Sequence, residues 1–201
     1  MNIVHSRLSA AIDALELWIK RLYGSKKGLR NKIIYSLLLR IGLFSSTKKV
    51  DFTKIKRLIF ICEGNICRSP LGEACARRHL VATESFGLGC SNGHPADPRA
   101  VSFAQTMLLD LTNHKTRHID HYVPQTGDLL ICTEPRHLRI LQQRLGATIP
   151  ITLAGLWITP AIAYIHDPYN CCEAYFTLCE ERVAAAAGNL VKNIQPKTTD
   201  I

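Results

Sequence analysis

The sequence predicts an α/β fold, a four-stranded parallel sheet with helices on both faces, preceded by a basic helical extension. From residue 57 onward, short apolar runs alternate with stretches of helical period, the pattern of β-α units that share one covered parallel sheet. The first 50 residues instead repeat apolar side chains every three or four positions. Charge divides at the same place: residues 1–56 hold twelve Lys and Arg against three Asp and Glu, and residues 57–201 hold thirteen of each sign.

In chain order, RLIFIC (57–62) is a short apolar strand, and Pro70 opens a helix running to about Leu80. ESFGL (84–88) is a second strand. The turn-rich GCSNGHPADPR (89–99) leads into a helix over 98–112. DLLIC (128–132) is the third strand, followed by a helix over 135–145. IPITL (149–153) is the fourth strand. A last helix spans Cys171 to Ile194, with Phe176, Val183, Leu190 and Ile194 near helical spacing. In the extension, Leu8, Ile12, Leu15, Trp18, Ile19 and Leu22 form one stripe over 3–22. Gly24 and the basic KKGLRNK interrupt it before a second helical run over 33–44.

With 201 residues, 47% hydrophobic and 20% charged, the chain has the composition of a globular protein with one ordinary core and something added. The net charge of +9 belongs to the extension, so the neutral remainder has no general affinity for polyanions and nucleic acid is not an expected partner. The eight cysteines include the adjacent pair Cys171-Cys172, which suits a disulfide lattice poorly. Together with the lack of a clean signal peptide this points to reduced thiols and a cytoplasmic setting. No apolar run reaches the roughly 18 residues a membrane span needs.

CEGNICRSP (62–70) follows the first strand and opens a helix. Backbone N–H groups in such a loop, with the partial positive charge of a helix N-terminus, make an anion site. Gly64 gives backbone freedom, and Asn65 tolerates the left-handed region. Arg68 offers a planar fork for two oxygens of a tetrahedral oxyanion. Cys62 would lie at the bottom of that cradle, its thiol pKa lowered by the same field. Ser69 could donate to the thiolate. Cys and Arg six positions apart are weak evidence alone; the full string in a strand–loop–helix context is specific. A zinc site would need to join Cys62 and Cys67 with Cys171, Cys172, Cys179 or His166, which lack paired C-x2-C spacing. No metal and no cofactor are expected.

CEGNICRSP resembles the phosphate-binding loop of the low-molecular-weight protein tyrosine phosphatases. The likeness extends over most of 57–195: GLGCSNGHPADPRA (87–100), LTNHKTRHI (111–119), DLLIC and HDPYN (166–170) match further family segments in order. It implies a flavodoxin-like catalytic domain over 51–201 with residues 1–50 as an added amphipathic extension. It implies Cys62 as nucleophile, Arg68 as phosphoryl clamp and Asp167 as general acid. Glu63, Gly64, Asn65, Ile66, Cys67 and Ser69 would line the phosphate loop, with Tyr169 as an aromatic wall for the substrate ring. Ser85 and His114 would belong to the supporting hydrogen-bond network, and Cys67 could trap Cys62 as a reversible disulfide or simply fill the loop. The implied partner is a phosphotyrosine protein.

The chain departs from the family pattern at Phe86, at Cys90, Ser91 and Asn92, and at Asn170. The spacing is more similar to bacterial exopolysaccharide-type members, which implies a tyrosine kinase of polysaccharide export as the target. The extension could pack on the domain, dock a partner, or lie peripherally on anionic lipid. Two rival functions are a thiol-dependent arsenate reductase, which would need further cysteines placed to accept oxidising equivalents, and an oxyanion-binding module without turnover.

Overall fold

The computed structural model describes residues 2–146 and 148–194; residue 1 and residues 195–201, the outer ends of the two expected units, lie outside the described residues, and so does the side chain of Leu8. Four strands, β1 (Arg57–Cys62), β2 (Ala82–Gly87), β3 (Asp128–Cys132) and β4 (Ile151–Leu153), form one sheet in the order β2-β1-β3-β4, with every pairing parallel. The chain runs to one side of β1 and then to the other, so the carboxyl ends of β1 and β3 flank the crevice where such sheets bind ligands.

Alternation along the strands sorts two cores. Leu58 and Phe60 of β1, with Leu129 and Ile131 of β3, face one cluster together with the helices α4 (Arg68–Arg77), α5 (Pro98–Thr106) and α7 (Glu173–Ile194). Ile59, Ile61, Leu130, Cys132 and Leu153 face the other, which α6 (Pro135–Leu145) covers. At Gly72 of α4 an added Cβ would lie 2.5 Å from the Phe60 ring, so only glycine lets this helix approach β1 so closely.

Several boundaries differ from expectation for local reasons. Helix α4 begins two residues earlier, at Arg68, and ends at Arg77, before Leu80 turns left-handed (φ 61°). Helix α5 stops at Thr106 rather than 112, because Met107 and Leu109 both donate to the Ala104 carbonyl around a left-handed Leu108 (φ 57°). Strand β4 starts after Pro150, which has no N–H to pair, and α7 starts two residues late.

The extension forms a helical hairpin, α1 (Asn2–Tyr23) and α2 (Lys26–Arg40), followed by the short α3 (Ser45–Lys48). The basic run KKGLRNK does not interrupt α2 but opens it: Ser25 caps the helix, accepting the Gly28 N–H at 3.0 Å. Helix α1 packs on α7 and α3 on β4. Tyr35, Leu38 and Leu39 pack against the second core, where Phe44 is buried.

At the far end of the sheet, Arg57 donates to Asp128 from Nε (2.7 Å) and Nη2 (2.8 Å) and to Glu84 from Nη1 (2.8 Å), joining β1 to both neighbours. The Tyr122 hydroxyl donates to the same Asp128 carboxylate at 2.6 Å. Burial opposes the charge on Asp128, but the Arg57 and Tyr122 donors prevail and hold its pKa below the ordinary value. A depressed carboxylate stabilises the fold above its unfolded pKa, near 4, and this is lost as pH falls through the lower folded value. In urea titrations at neutral pH, Asp128→Asn should be less stable by about 2–3 kcal/mol. Its stability should also fall less than that of the parent protein as the pH is lowered from 5 to 2.

Candidate active site

The loop after β1 folds around the Cys62 sulfur. The Asn65 backbone N–H lies 3.3 Å from Sγ, and Ser69 Oγ lies 3.0 Å from it. The left-handed residue of the loop is Asn65 (φ 52°); Gly64 is not in that region. Asn65 is fully buried and holds the loop from several directions. Its Nδ2 donates to Ser69 Oγ and Ser85 Oγ (both 2.9 Å), and its Oδ1 accepts the Arg117 N–H (2.8 Å). His114 Nε2 lies 2.7 Å from the Asn65 carbonyl, and burial lowers the His114 pKa, favouring a neutral ring with Nε2 as donor. Ser85 donates in turn to Glu73. Ser69 accepts from Asn65, and its own proton can go to the Cys62 sulfur at 3.0 Å or to the Phe86 carbonyl at 3.4 Å. The expected supporting residues, Asn65, Ser69, Ser85 and His114, are thus brought together.

Arg68, the first residue of α4, is 1% exposed. Its Nη1 donates to Glu134 Oε1 (2.8 Å) and the Ile165 carbonyl (3.1 Å), and its Nη2 pairs with Asp167 Oδ2 (2.9 Å). Its Nε is buried without a hydrogen-bond partner. Burial pushes the Cys62 thiol up, against the pull of Arg68 and the Ser69 hydroxyl. That is the reverse of the shift expected from the loop alone, because desolvation of the fully buried sulfur outweighs Arg68 and Ser69, and the Asp167 carboxylate adds to it.

Sequence reasoning missed Glu134. It stands just past the carboxyl end of β3 and directly before Pro135 at the start of α6. A carboxylate at that edge of a parallel sheet, beside the phosphate loop, is the signal that could have found it. Burial raises the Glu134 pKa, but Arg68, His137 and Arg136 together hold it below the ordinary value. Arg136 also reaches Glu63 Oε2 at 2.6 Å, so Glu63 belongs to the rim.

Cys62, Glu63, Gly64, Ile66, Cys67, Arg68, Asp167 and Tyr169 line one pocket of about 170 Å³. Tyr169, 54% exposed, stands at its mouth and also borders an open groove with Cys90, Ser91 and His94. Asn92 is engaged elsewhere, by His121 and the His118 N–H. Phe86 is buried between Tyr122 and Arg117, away from the mouth. Cys67 is buried, its thiol pushed up chiefly by desolvation, and no disulfide joins it to Cys62 in this structure. Among the described residues no three His, Cys, Asp or Glu side chains are gathered closely enough to hold a metal ion.

A family model described as low molecular weight phosphotyrosine protein phosphatase matches residues 57–200. Among curated relatives, the low molecular weight protein-tyrosine-phosphatase Wzb of Escherichia coli is 35% identical over 116 residues, covering 56% of this chain and 78% of its own. Among solved structures, Escherichia coli Wzb in complex with sulphate superposes with a TM-score of 0.61 at 28% identity, covering 70% of this chain and 99% of that one. Vibrio vulnificus Wzb in complex with benzylphosphonate gives 0.59 at 27% identity, over 69% and 98%. The chain with this loop, this sheet and this match is a protein tyrosine phosphatase and belongs to the low molecular weight phosphotyrosine protein phosphatase family.

Proposed function

We propose that the chain hydrolyses protein phosphotyrosine through a cysteinyl-phosphate, with Cys62 as nucleophile, Arg68 as phosphoryl clamp and Asp167 as general acid. The observation that carries this is the convergence of Cys62, Arg68 and Asp167 on one pocket. The Cys62 thiolate attacks phosphorus and the P–O bond to the phenol breaks. Asp167 delivers a proton to the departing oxygen, which matters because the phenol pKa is about 10. In the second step Asp167 takes a proton from the water that attacks phosphorus, the P–S bond breaks, and the Ser69 hydroxyl and Asn65 N–H receive the thiolate. The buried, unpartnered Arg68 Nε is a donor available to a phosphoryl oxygen. Tyr169 at the mouth suits an aromatic leaving group. That Vibrio vulnificus Wzb binds benzylphosphonate and Escherichia coli Wzb binds sulphate, both tetrahedral anions, supports a phosphoryl-binding role for this fold.

Of the rival readings, arsenate reduction requires further cysteines beyond the phosphate loop to carry off the oxidising equivalents, and Cys132 is the candidate by sequence position. Cys132 pairs in register with Ile61 and packs in the second core, on the sheet face opposite the one served by Phe60. A binding-only module would not need Asp167 on the same pocket as Cys62. The target we infer is a bacterial tyrosine kinase of polysaccharide export, supported by the likeness to the exopolysaccharide-type members.

A second reading concerns the extension. Among the described residues, ten of the fourteen exposed large hydrophobic side chains lie between Ile12 and Leu43, in the segment that carries the net positive charge. Among the described residues no helix is long and apolar enough to cross a membrane. Exposed apolar side chains with interspersed Lys and Arg favour lying on an anionic lipid surface.

For the reaction, Cys62→Ser should abolish turnover. Asp167→Ala should lower kcat/KM for phosphotyrosine about 10²–10³-fold while changing 2,4-dinitrophenyl phosphate, whose leaving group needs no proton, far less. Full activity in Cys62→Ser would sink the mechanism. For the membrane reading, the intact protein should sediment with phosphatidylglycerol vesicles and not with pure phosphatidylcholine. Leu15→Glu combined with Leu37→Glu should weaken that binding at least tenfold. An intact protein that stays in the supernatant at low salt disposes of this second reading.

A further inference from the structure

The loop that carries Asp167 is held from two sides, and one of them is the N-terminal hairpin. On the sheet side, the Ile165 N–H donates to the Thr133 carbonyl (3.0 Å) and the Ile165 carbonyl accepts from Arg68. On the other side stands His166, the residue directly before Asp167. Its Nε2 lies 2.9 Å from Ser25 Oγ, and its Nδ1 lies 2.6 Å from the Tyr164 hydroxyl. Ser25 Oγ already accepts the Gly28 N–H at 3.0 Å. A neutral imidazole, with one ring nitrogen donating and the other accepting, is hydrogen-bonded at both nitrogens in either tautomer.

The ring is also confined by shape. A Cβ added at Gly24 (φ 77°) would lie 2.7 Å from His166 Cδ2, 2.8 Å from Cys171 Sγ and 2.9 Å from the Tyr175 ring. One added at Gly28 would lie 2.9 Å from the same His166 carbon. Gly24, between α1 and α2, and Gly28, in the first turn of α2, therefore press bare backbone against the acid loop. Farther along the loop, the Cys172 thiol donates to the Lys20 carbonyl (3.4 Å). Lys27, Asn31 and Tyr35 of α2 line a cavity of about 160 Å³ together with Tyr164, His166 and Asp167, so the hairpin reaches the acid itself.

We propose that the N-terminal hairpin is a positioning element for the general acid, with Ser25 acting through His166 to fix the loop on which Asp167 stands. The proposal rests on the catalytic reading above. It makes Ser25 and His166 positioning residues, distant from the reacting atoms, whose effect appears only where proton delivery limits the rate. Phosphoryl transfer to Cys62 with a poor leaving group needs Asp167 within hydrogen-bond reach of the phenolic oxygen, and a loop free to shift by about an ångström loses that alignment.

The experiment measures kcat/KM, which reports the first phosphoryl transfer, for phosphotyrosine and for 2,4-dinitrophenyl phosphate with the full-length chain. Ser25→Ala removes the hydroxyl; His166→Phe keeps a ring against the two glycines but removes both hydrogen bonds. Each should lower the phosphotyrosine to dinitrophenyl phosphate ratio about tenfold, and Ser25→Thr, which keeps a hydroxyl, should bring it back to within about twofold of the parent protein. Partial unfolding lowers both rates together and leaves the ratio unchanged. An unchanged ratio in both variants therefore overturns the proposal, whether the individual rates fall or not. A parent protein without phosphatase activity, or with activity that survives Cys62→Ser, would refute the catalytic reading instead.

Discussion

The buried Arg68 guanidinium is the constraint on which the site depends. A cation 1% exposed is tolerable only with charge partners and hydrogen bonds, and removing a partner from such a pair costs about 3–5 kcal/mol. Glu134, Asp167 and the Ile165 carbonyl meet that need, and they come from two further segments at the carboxyl edge of the sheet. One cation therefore ties the phosphate loop to the end of β3 and to the loop before α7. Lysine could not do this, because the contacts use two nitrogens of a planar fork.

Glu134 and Asp167 are not equivalent partners. Glu134 is buried and further held by Arg136, so it is a permanent counter-ion. Asp167 is about one-third exposed on its side chain and lines the same pocket as Cys62. A phosphoryl dianion entering that pocket competes with the Asp167 carboxylate for Arg68. On the proposed mechanism the dianion takes over the Arg68 contact by Coulomb attraction, and Asp167, protonated on its release from the guanidinium, is the acid that serves the leaving phenolic oxygen. The separation of these two carboxylates into a fixed and an exchangeable partner explains how one arginine can serve both the fold and the reaction.

Much of the fold was legible because its signals are local. Apolar runs identify β1 and β3 to the residue, and the helix of 135–145 has a proline at its start and glycine just past its end. Errors occurred where a short polar side chain or a left-handed residue decides an end, as at Ser25, Leu108 and Leu80. Within the site, the loop residues stand in one string, His114 and Asp167 came from matching segments and Ser85 from the implied network, and the structure places them around Cys62 or on its pocket. The Arg68–Glu134 pair and the Ser25–His166 contact were not legible, because they join residues 66 and 141 positions apart and only the folded sheet brings the partners together. Glu180 shows the same limit. Within α7 it reads as a solvated charge, yet it is fully buried and its pKa is pushed up to about 8, chiefly by desolvation.

The exchange at Arg68 also explains what a hairpin could contribute that the catalytic domain lacks. Once Asp167 leaves the guanidinium, the loop loses one of its anchors on the sheet side at the step when proton delivery requires it to be still. Entropy favours a loop that then samples many positions, and each misplacement of about an ångström reduces the rate of proton transfer. An anchor independent of Arg68 counters that loss. The Tyr164–His166–Ser25 chain is such an anchor: its hydrogen bonds do not run through Arg68, and its far end is fixed by the cap of α2. The extension is then joined to the catalytic chemistry through one imidazole, and whatever the exposed apolar surface of the hairpin rests on acts on the stability of that same loop.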